Sequence, residues 1–349
     1  MIYPLTSLRF FFALIVFLSH YSRKGEAIFA EGDIGVEFFY ILSGFIISYT
    51  YKNKFAEGKI KIRDFLIARI ARIYPLHCLT FLMFLIVQPF DWSKAFFNIT
   101  LLQSFVPLES YYFSFNAVSW SISCEMFFYL CFPLLLFLQI KLSIWNKISV
   151  LALFLISYFL GIYFVSEQYH HAIFYVNPVL RIFNFIIGIG LFNFYEYLNS
   201  IDIRNHRILK NKITVNLIEI IPLLLLTTMI MFKDKIPQVY RYDCYYWIPV
   251  ALIIISCSQV FGYGIISKIL SCRFLIICGQ ISFGFYMLHN PILLFSPVAI
   301  KLVFKFDINQ INELARFAII FFSILVASLI SFYLYETPAN KMIKKLCAR

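Results

Sequence analysis

Eleven residues separate Arg9 from His20 in a run that is otherwise almost wholly apolar, LTSLRFFFALIVFLSHY. At helical pitch that is nearly three full turns, so both side chains share one face, about 16 Å apart along the axis. The imidazole suits proton transfer near neutral pH. The next apolar run opens GDIGVEFFY, which puts the Glu37 carboxylate at the expected depth of His20, where the pair suits general-base chemistry. Arg69 and Arg72, in FLIARIARIYP, share a face at the mouth of a third run, and Pro75 marks its start. Two guanidiniums so placed clamp phosphate oxygens arriving from that side. In WSISCEMFFYLCFP, Trp120 precedes Ser121 and Glu125, which meet at i, i+4. Arg181 and Asn184 open a further run, GQISFGFYMLHNP carries Ser282, Tyr286 and His289, and Glu336 closes SFYLYETP.

These groups matter because of where they sit. Of 349 residues, 61% are hydrophobic and 14% charged, with mean hydropathy +0.81; a soluble domain carries roughly 25% charge. Lipid is the solvent that fits, and each apolar run must then be a helix, since unpaired backbone groups in hydrocarbon cost several kcal/mol each. Runs such as LTFLMFLIV do not alternate as barrel strands would. The expected fold is all-α and polytopic, a single domain over 1–349. About ten transmembrane helices fall near 4–21, 34–51, 73–90, 118–138, 148–166, 179–198, 213–232, 246–266, 274–296 and 315–336. The apolar stretch 96–105 is short and reads as interfacial or re-entrant.

With both termini cytoplasmic, the inner loops hold 19 cations and the outer loops eight, including Arg23 and Lys24. The positive-inside rule is met at every inner loop, which accounts for much of the +12 net charge and points to lipid and away from nucleic acid. The first run lacks a basic leader and a small-residue cleavage site, so it stays as a span. The eight cysteines are scattered without a CxxC pair and indicate neither disulfides nor a metal. His170-His171 reads as a solvated loop.

Ionisable groups inside spans mark a site by default, but each has a plainer reading. Glu125 and Arg181 form either an interhelical ion pair or part of a site. Arg9 can snorkel to the inner headgroups, Trp120 can anchor an aromatic belt, and glycines in spans two, six and nine read as helix-packing contacts. The lysines before Arg69 suit anionic lipid. Arg-x-x-Arg at a span mouth is less well explained that way.

Seven blocks together resemble the acyltransferase-3 family, the membrane O-acyltransferases of bacterial surface sugars. They are LTSLRFFFALIVFLSHY, GDIGVEFFYILSGFIIS, FLIARIARIYPLH, WSISCEMFFYLCFP, RIFNFIIG, GQISFGFYMLHNPI and SFYLYETPANK, in family order along nearly the whole chain. The resemblance implies a bacterial inner-membrane enzyme. It would take an acetyl or other short acyl group from cytoplasmic acetyl-CoA, or another acyl-CoA, to a hydroxyl of a glycan or glycolipid, with no resident metal. The family's critical positions fall on Arg9, His20, Glu37, Arg69 and Arg72. His20 and Glu37 are expected to be catalytic, and Arg69, Arg72 and Arg9 to hold the donor. Trp120, Glu125, Arg181, His289 and Glu336 are expected to line or support the site. Glu37 stands where many members have Asp, one methylene shorter. The sequence stops at Arg349, thirteen residues after Glu336, so no appended esterase-like SGNH domain is expected. The rival from another class is a transporter or flippase of a lipid-linked sugar. The visible lack of a repeat and the split between a His–carboxylate end and an arginine end tell against it.

Overall fold

Backbone amides within a long apolar run have no water to bond, so the run satisfies them internally as a helix. The computed structural model describes residues 2–21, 31–305 and 308–347, and among them all regular structure is helical. Helices α1 (Tyr3–Tyr21), α2 (Asp33–Ala56) and α3 (Ile62–Leu85) are followed by two short ones, α4 (Trp92–Ile99) and α5 (Glu109–Tyr112). Then come α6 (Trp120–Lys141), α7 (Ile144–Phe164), α8 (Pro178–Ser200) and α9 (Lys212–Met231). The short α10 (Gln238–Arg241), α11 (Trp247–Ser256), α12 (Ile265–Leu270) and α13 (Arg273–Gln280) lead into α14 (Ser282–Phe304). Finally α15 (Glu313–Ile330) runs through a wide π turn, Ser331–Glu336, into α16 (Thr337–Cys347).

Nine helices among the described residues are long and apolar enough to cross a bilayer. The polarity is inside out. Leu134, Phe137, Ile156 and Leu224 are exposed, while Glu37, Arg181, His289 and Glu336 are buried. Glycine sets the closest seam. A Cβ on Gly44 would stand 2.1 Å from the Phe185 carbonyl oxygen, and one on Gly188 2.0 Å from that of Ile41. Only hydrogen at both positions lets α2 and α8 approach this closely. Gly279, whose Cβ would meet the Thr6 carbonyl at 1.9 Å, does the same between α13 and α1.

The direction of the helices follows from their contacts. Arg9 and Arg72 line one cavity, and α1 runs from there to His20 and Tyr21. Arg316, early in α15, donates from Nε to the Tyr21 hydroxyl at 3.2 Å, and that stretch ends with Glu336 beside Arg72. The first and last helices are therefore antiparallel, both described termini lie at one end, and the number of crossings is even.

The crossing beyond the nine is the segment expected as one helix over 246–266. It is instead the ten-residue α11 followed by an irregular stretch. The Ser256 and Ser258 hydroxyls take the carbonyls of Ile253 and Ile255, and Gln259 and Gly262 adopt positive φ of 71° and 103°, so the helix stops. The segment still traverses. Tyr245 donates to the Met229 carbonyl near one end of α9, and Gly264 donates its N–H to Glu219 Oε1, about 15 Å away along α9. Buried Glu219 also accepts from the amides of Ile266 and Ser267 at the start of α12.

Two other boundaries differ from expectation. Helix α3 starts at Ile62, well before the expected 73, so Arg69, Arg72 and Pro75 lie within it. The stretch 96–105 forms the end of α4 and a single 3-10 turn. Eight residues of α4 rise about 12 Å, far short of a ~30 Å hydrocarbon core. Arg23, Lys24 and Arg349 lie outside the described residues.

Candidate active site

Helix α3 carries Arg69 and Arg72 one turn apart on the face toward α2, α6 and α14. Arg69 donates from Nη2 to the Tyr51 hydroxyl at 3.0 Å and lies 5.2 Å and 5.7 Å from the ring centres of Tyr51 and Tyr129. Arg72 sits 5.2 Å from the Phe283 ring centre and 3.6 Å from Glu336 Oε2. Such aromatic seats hold guanidiniums in place while leaving donor N–H groups for an anion. The π turn before α16 swings Glu336 inward, where Ser331 Oγ donates to its Oε1 at 3.0 Å.

From this pair a series of cavities leads inward to Arg9 of α1. An open cavity of about 350 Å³ is lined by Arg69, Arg72 and Glu336 together with Asn340, Lys341 and Lys344 of α16. The next, about 120 Å³, shares Arg69 and Arg72 and adds Arg9, Ser43, Glu125 and Tyr129. A third, about 40 Å³, shares Arg9 and Glu125 and reaches Ser121 and Tyr286. There the route closes, because the Tyr286 hydroxyl and Ser121 Oγ are 2.7 Å apart. One turn beyond Tyr286, His289 faces His20, with His20 Nδ1 and His289 Nε2 2.8 Å apart and the rings nearly parallel. His20 in turn lines an outer groove of about 190 Å³ with Tyr21, Pro297 and Arg316.

The local sequence explains how His289 is held. Pro291 has no N–H, which frees the Met287 carbonyl one turn back. Asn116 Nδ2 donates to that carbonyl at 2.9 Å, and Asn290 Nδ2 donates to Asn116 Oδ1 at 3.1 Å. Asn116, in a short polar stretch before α6, had no signal of its own; the proline in HNP was the available clue.

Arg9 lines the two inner cavities of the route, and His20 lines the outer groove. Ser121 and Glu125 share a cavity wall as their spacing implies. Glu37 and His20 do not share a depth. Helices α1 and α2 are antiparallel, Gly32 lies against Ser19, and Gly35 lies against the Phe12 carbonyl. That places Gly35 eight residues, or about 12 Å, inward of His20, and Glu37 lies further along α2. The first turn of α2 therefore descends past His20 before Glu37 is reached. The buried Glu37 lies instead in the field of Arg181, Asp243 and Asp33.

Arg181 and Glu125 also part company. Arg181 pairs at 3.2 Å with Asp243, a residue that hydropathy assigns to a loop. Arg181 also donates to the Tyr242 carbonyl, and Asn184 joins Asp243 to the Trp247 indole. Glu125 accepts from Ser43 and Tyr129 within the cavity. Trp120 is buried against Tyr175, with no outward face for a belt role. His170 and His171 have partners, the Val165 carbonyl and the Tyr112 hydroxyl, where a solvated loop was expected.

The family model described as an acyltransferase domain matches residues 2–335, and the chain belongs to the acyltransferase-3 family. Acyltransferase MdmB of Streptomyces mycarofaciens is 36% identical over 151 residues, covering 37% of this chain and 38% of that protein. Peptidoglycan O-acetyltransferase OatA of Listeria monocytogenes is 25% identical over 339 residues, covering 89% of this chain and 51% of its own. Protein 2 in the picA locus of Rhizobium radiobacter is 40% identical over 68 residues, 18% of this chain and 35% of that one. The chain thus spans about half or less of the length of these relatives. No solved structure matches.

Proposed function

We propose that this chain moves an acetyl or other short acyl group from an acyl-CoA at the cytoplasmic face to a hydroxyl of a cell-surface glycan or its lipid-linked precursor. The observation that carries this reading is the line of cavities from Arg69 and Arg72, past Arg9 and Glu125, toward the His289–His20 pair. The excess of cations at the arginine end supports a cytoplasmic placement of that end. The donor's phosphates bind at the mouth, its pantetheine arm lies along the route, and the thioester passes the Tyr286–Ser121 contact to reach His20.

In the tautomer that carries its proton on Nδ1, toward His289 Nε2, His20 takes the acceptor's hydroxyl proton on the lone pair of Nε2. The alkoxide oxygen bonds to the thioester carbonyl carbon, the C–S bond breaks, and the thiolate takes the proton back from the imidazolium. Glu37 contributes through the Arg181 network that packs α2 against α8. The 25% identity to a peptidoglycan O-acetyltransferase is compatible with a cell-envelope glycan acceptor.

Oriented proteoliposomes supplied with radiolabelled acetyl-CoA on one face and a glycolipid acceptor test the reading. Label reaches the acceptor when donor is on the face bearing Arg69 and Arg72. Transfer from the opposite face alone, or carriage of glycolipid across the bilayer with no acyl transfer, overturns it.

A further inference from the structure

Helix α16 turns one side to the arginine mouth. Thr337, Asn340, Lys341 and Lys344 recur at the spacing of a single helical face, and all four line the cavity of about 350 Å³ opposite Arg69 and Arg72. Lys344 lies within the field of both arginines. The cavity wall thus carries four cations and one carboxylate, Glu336, an excess of three positive charges. Like charges facing one another across an open space repel unless an anion occupies it. The helix is nonetheless held there, for α16 continues from α15 without a break and Arg63 Nη2 donates to the Cys347 carbonyl at 3.0 Å. A volume of about 350 Å³ is at the small end of ligand pockets and suits a phosphate cluster better than a whole nucleotide.

We infer that α16 forms the second wall of the donor site, with Lys341 and Lys344 gripping the diphosphate and 3′-phosphate of coenzyme A against Arg69 and Arg72. The inference rests on the arginine pair being the donor site. The ligand's charge matches, since a phosphomonoester carries about −1.5 to −2 at neutral pH and a diphosphate diester adds two more acidic oxygens. Asn340 supplies an amide donor between the lysines. Lys345, the next residue, does not line the cavity.

The test compares acetyl-CoA with acetylpantetheine, which has the same thioester and no phosphate cluster, using the whole protein in phosphatidylcholine vesicles. Wild type prefers acetyl-CoA in kcat/KM. The double variant Lys341→Ala/Lys344→Ala loses about tenfold or more of that preference through KM for acetyl-CoA, the scale of a lost charge-assisted bond. Lys345→Ala keeps the preference intact. Retention of the full preference in the double variant overturns the inference. So does an equal loss with both donors that phosphatidylglycerol repairs, which makes α16 a lipid anchor. Failure of wild type to use either donor overturns the proposed function itself, a separate outcome.

Discussion

The hydrogen bond between His20 and His289 offers the sharpest test, because its two ends predict losses of different size. His20→Ala removes the proton acceptor, and a lost general base costs about 10²–10⁴-fold in rate. His289→Gln removes only the group that fixes the tautomer and direction of His20. A part-buried neutral hydrogen bond at 2.8 Å contributes about 0.5–1.5 kcal/mol, or about 2- to 12-fold in rate. His289 is fully buried, so glutamine, which keeps an amide in its place, is a better probe than alanine. Radiolabel transfer from acetyl-CoA in proteoliposomes gives the rates, and thermal midpoints in detergent show whether each variant is folded. If His289 acts through His20, the two losses are not additive. His289→Gln costs little more once His20 is alanine. A double variant slowed by the full product of the two single losses, with all proteins folded, refutes the pairing. Wild-type turnover in folded His20→Ala removes His20 from the chemistry altogether.

Three further outcomes are expected. Gly188→Ala forces α2 and α8 apart, because its Cβ would stand 2.0 Å from the Ile41 carbonyl oxygen. Overpacking of this kind costs about 1–3 kcal/mol, read as a lower thermal midpoint, and an unchanged midpoint would sink the seam. Asp243→Asn leaves buried Arg181 without its counter-charge, a loss of about 3–5 kcal/mol. The apolar double variant Arg181→Met/Asp243→Leu recovers stability, and equal midpoints for the single and double variants would contradict this. Arg69→Ala and Arg72→Ala each raise KM for acetyl-CoA about tenfold or more, and Arg69→Lys restores it partly because a lysine lacks the planar fork. Unchanged KM in both alanine variants leaves α3 as a lipid anchor.

Composition alone was sufficient for the all-helical membrane fold, because hydrocarbon admits no other way of satisfying the backbone of runs this apolar. Spacing within one helix was equally readable. Ser121 and Glu125 keep their sequence-derived face on one cavity wall, since helical pitch is local. Relations between helices were not readable in the same way. Glu37 was matched to His20 by counting from the start of its span, but the depth of a residue depends on where neighbouring helices are in contact. Gly32 and Gly35 let α2 slide deep along α1, and the carboxylate went with it. Arg181 found Asp243 rather than Glu125 because the outer segment before α11 folds back into the bundle, a long-range event that hydropathy does not register. The α16 wall was missed for the same reason. Its lysines looked like a cytoplasmic topology signal, and only packing against α3 turns them toward the arginines. Sequence fixes which groups lipid will not tolerate alone; tertiary packing chooses their partners.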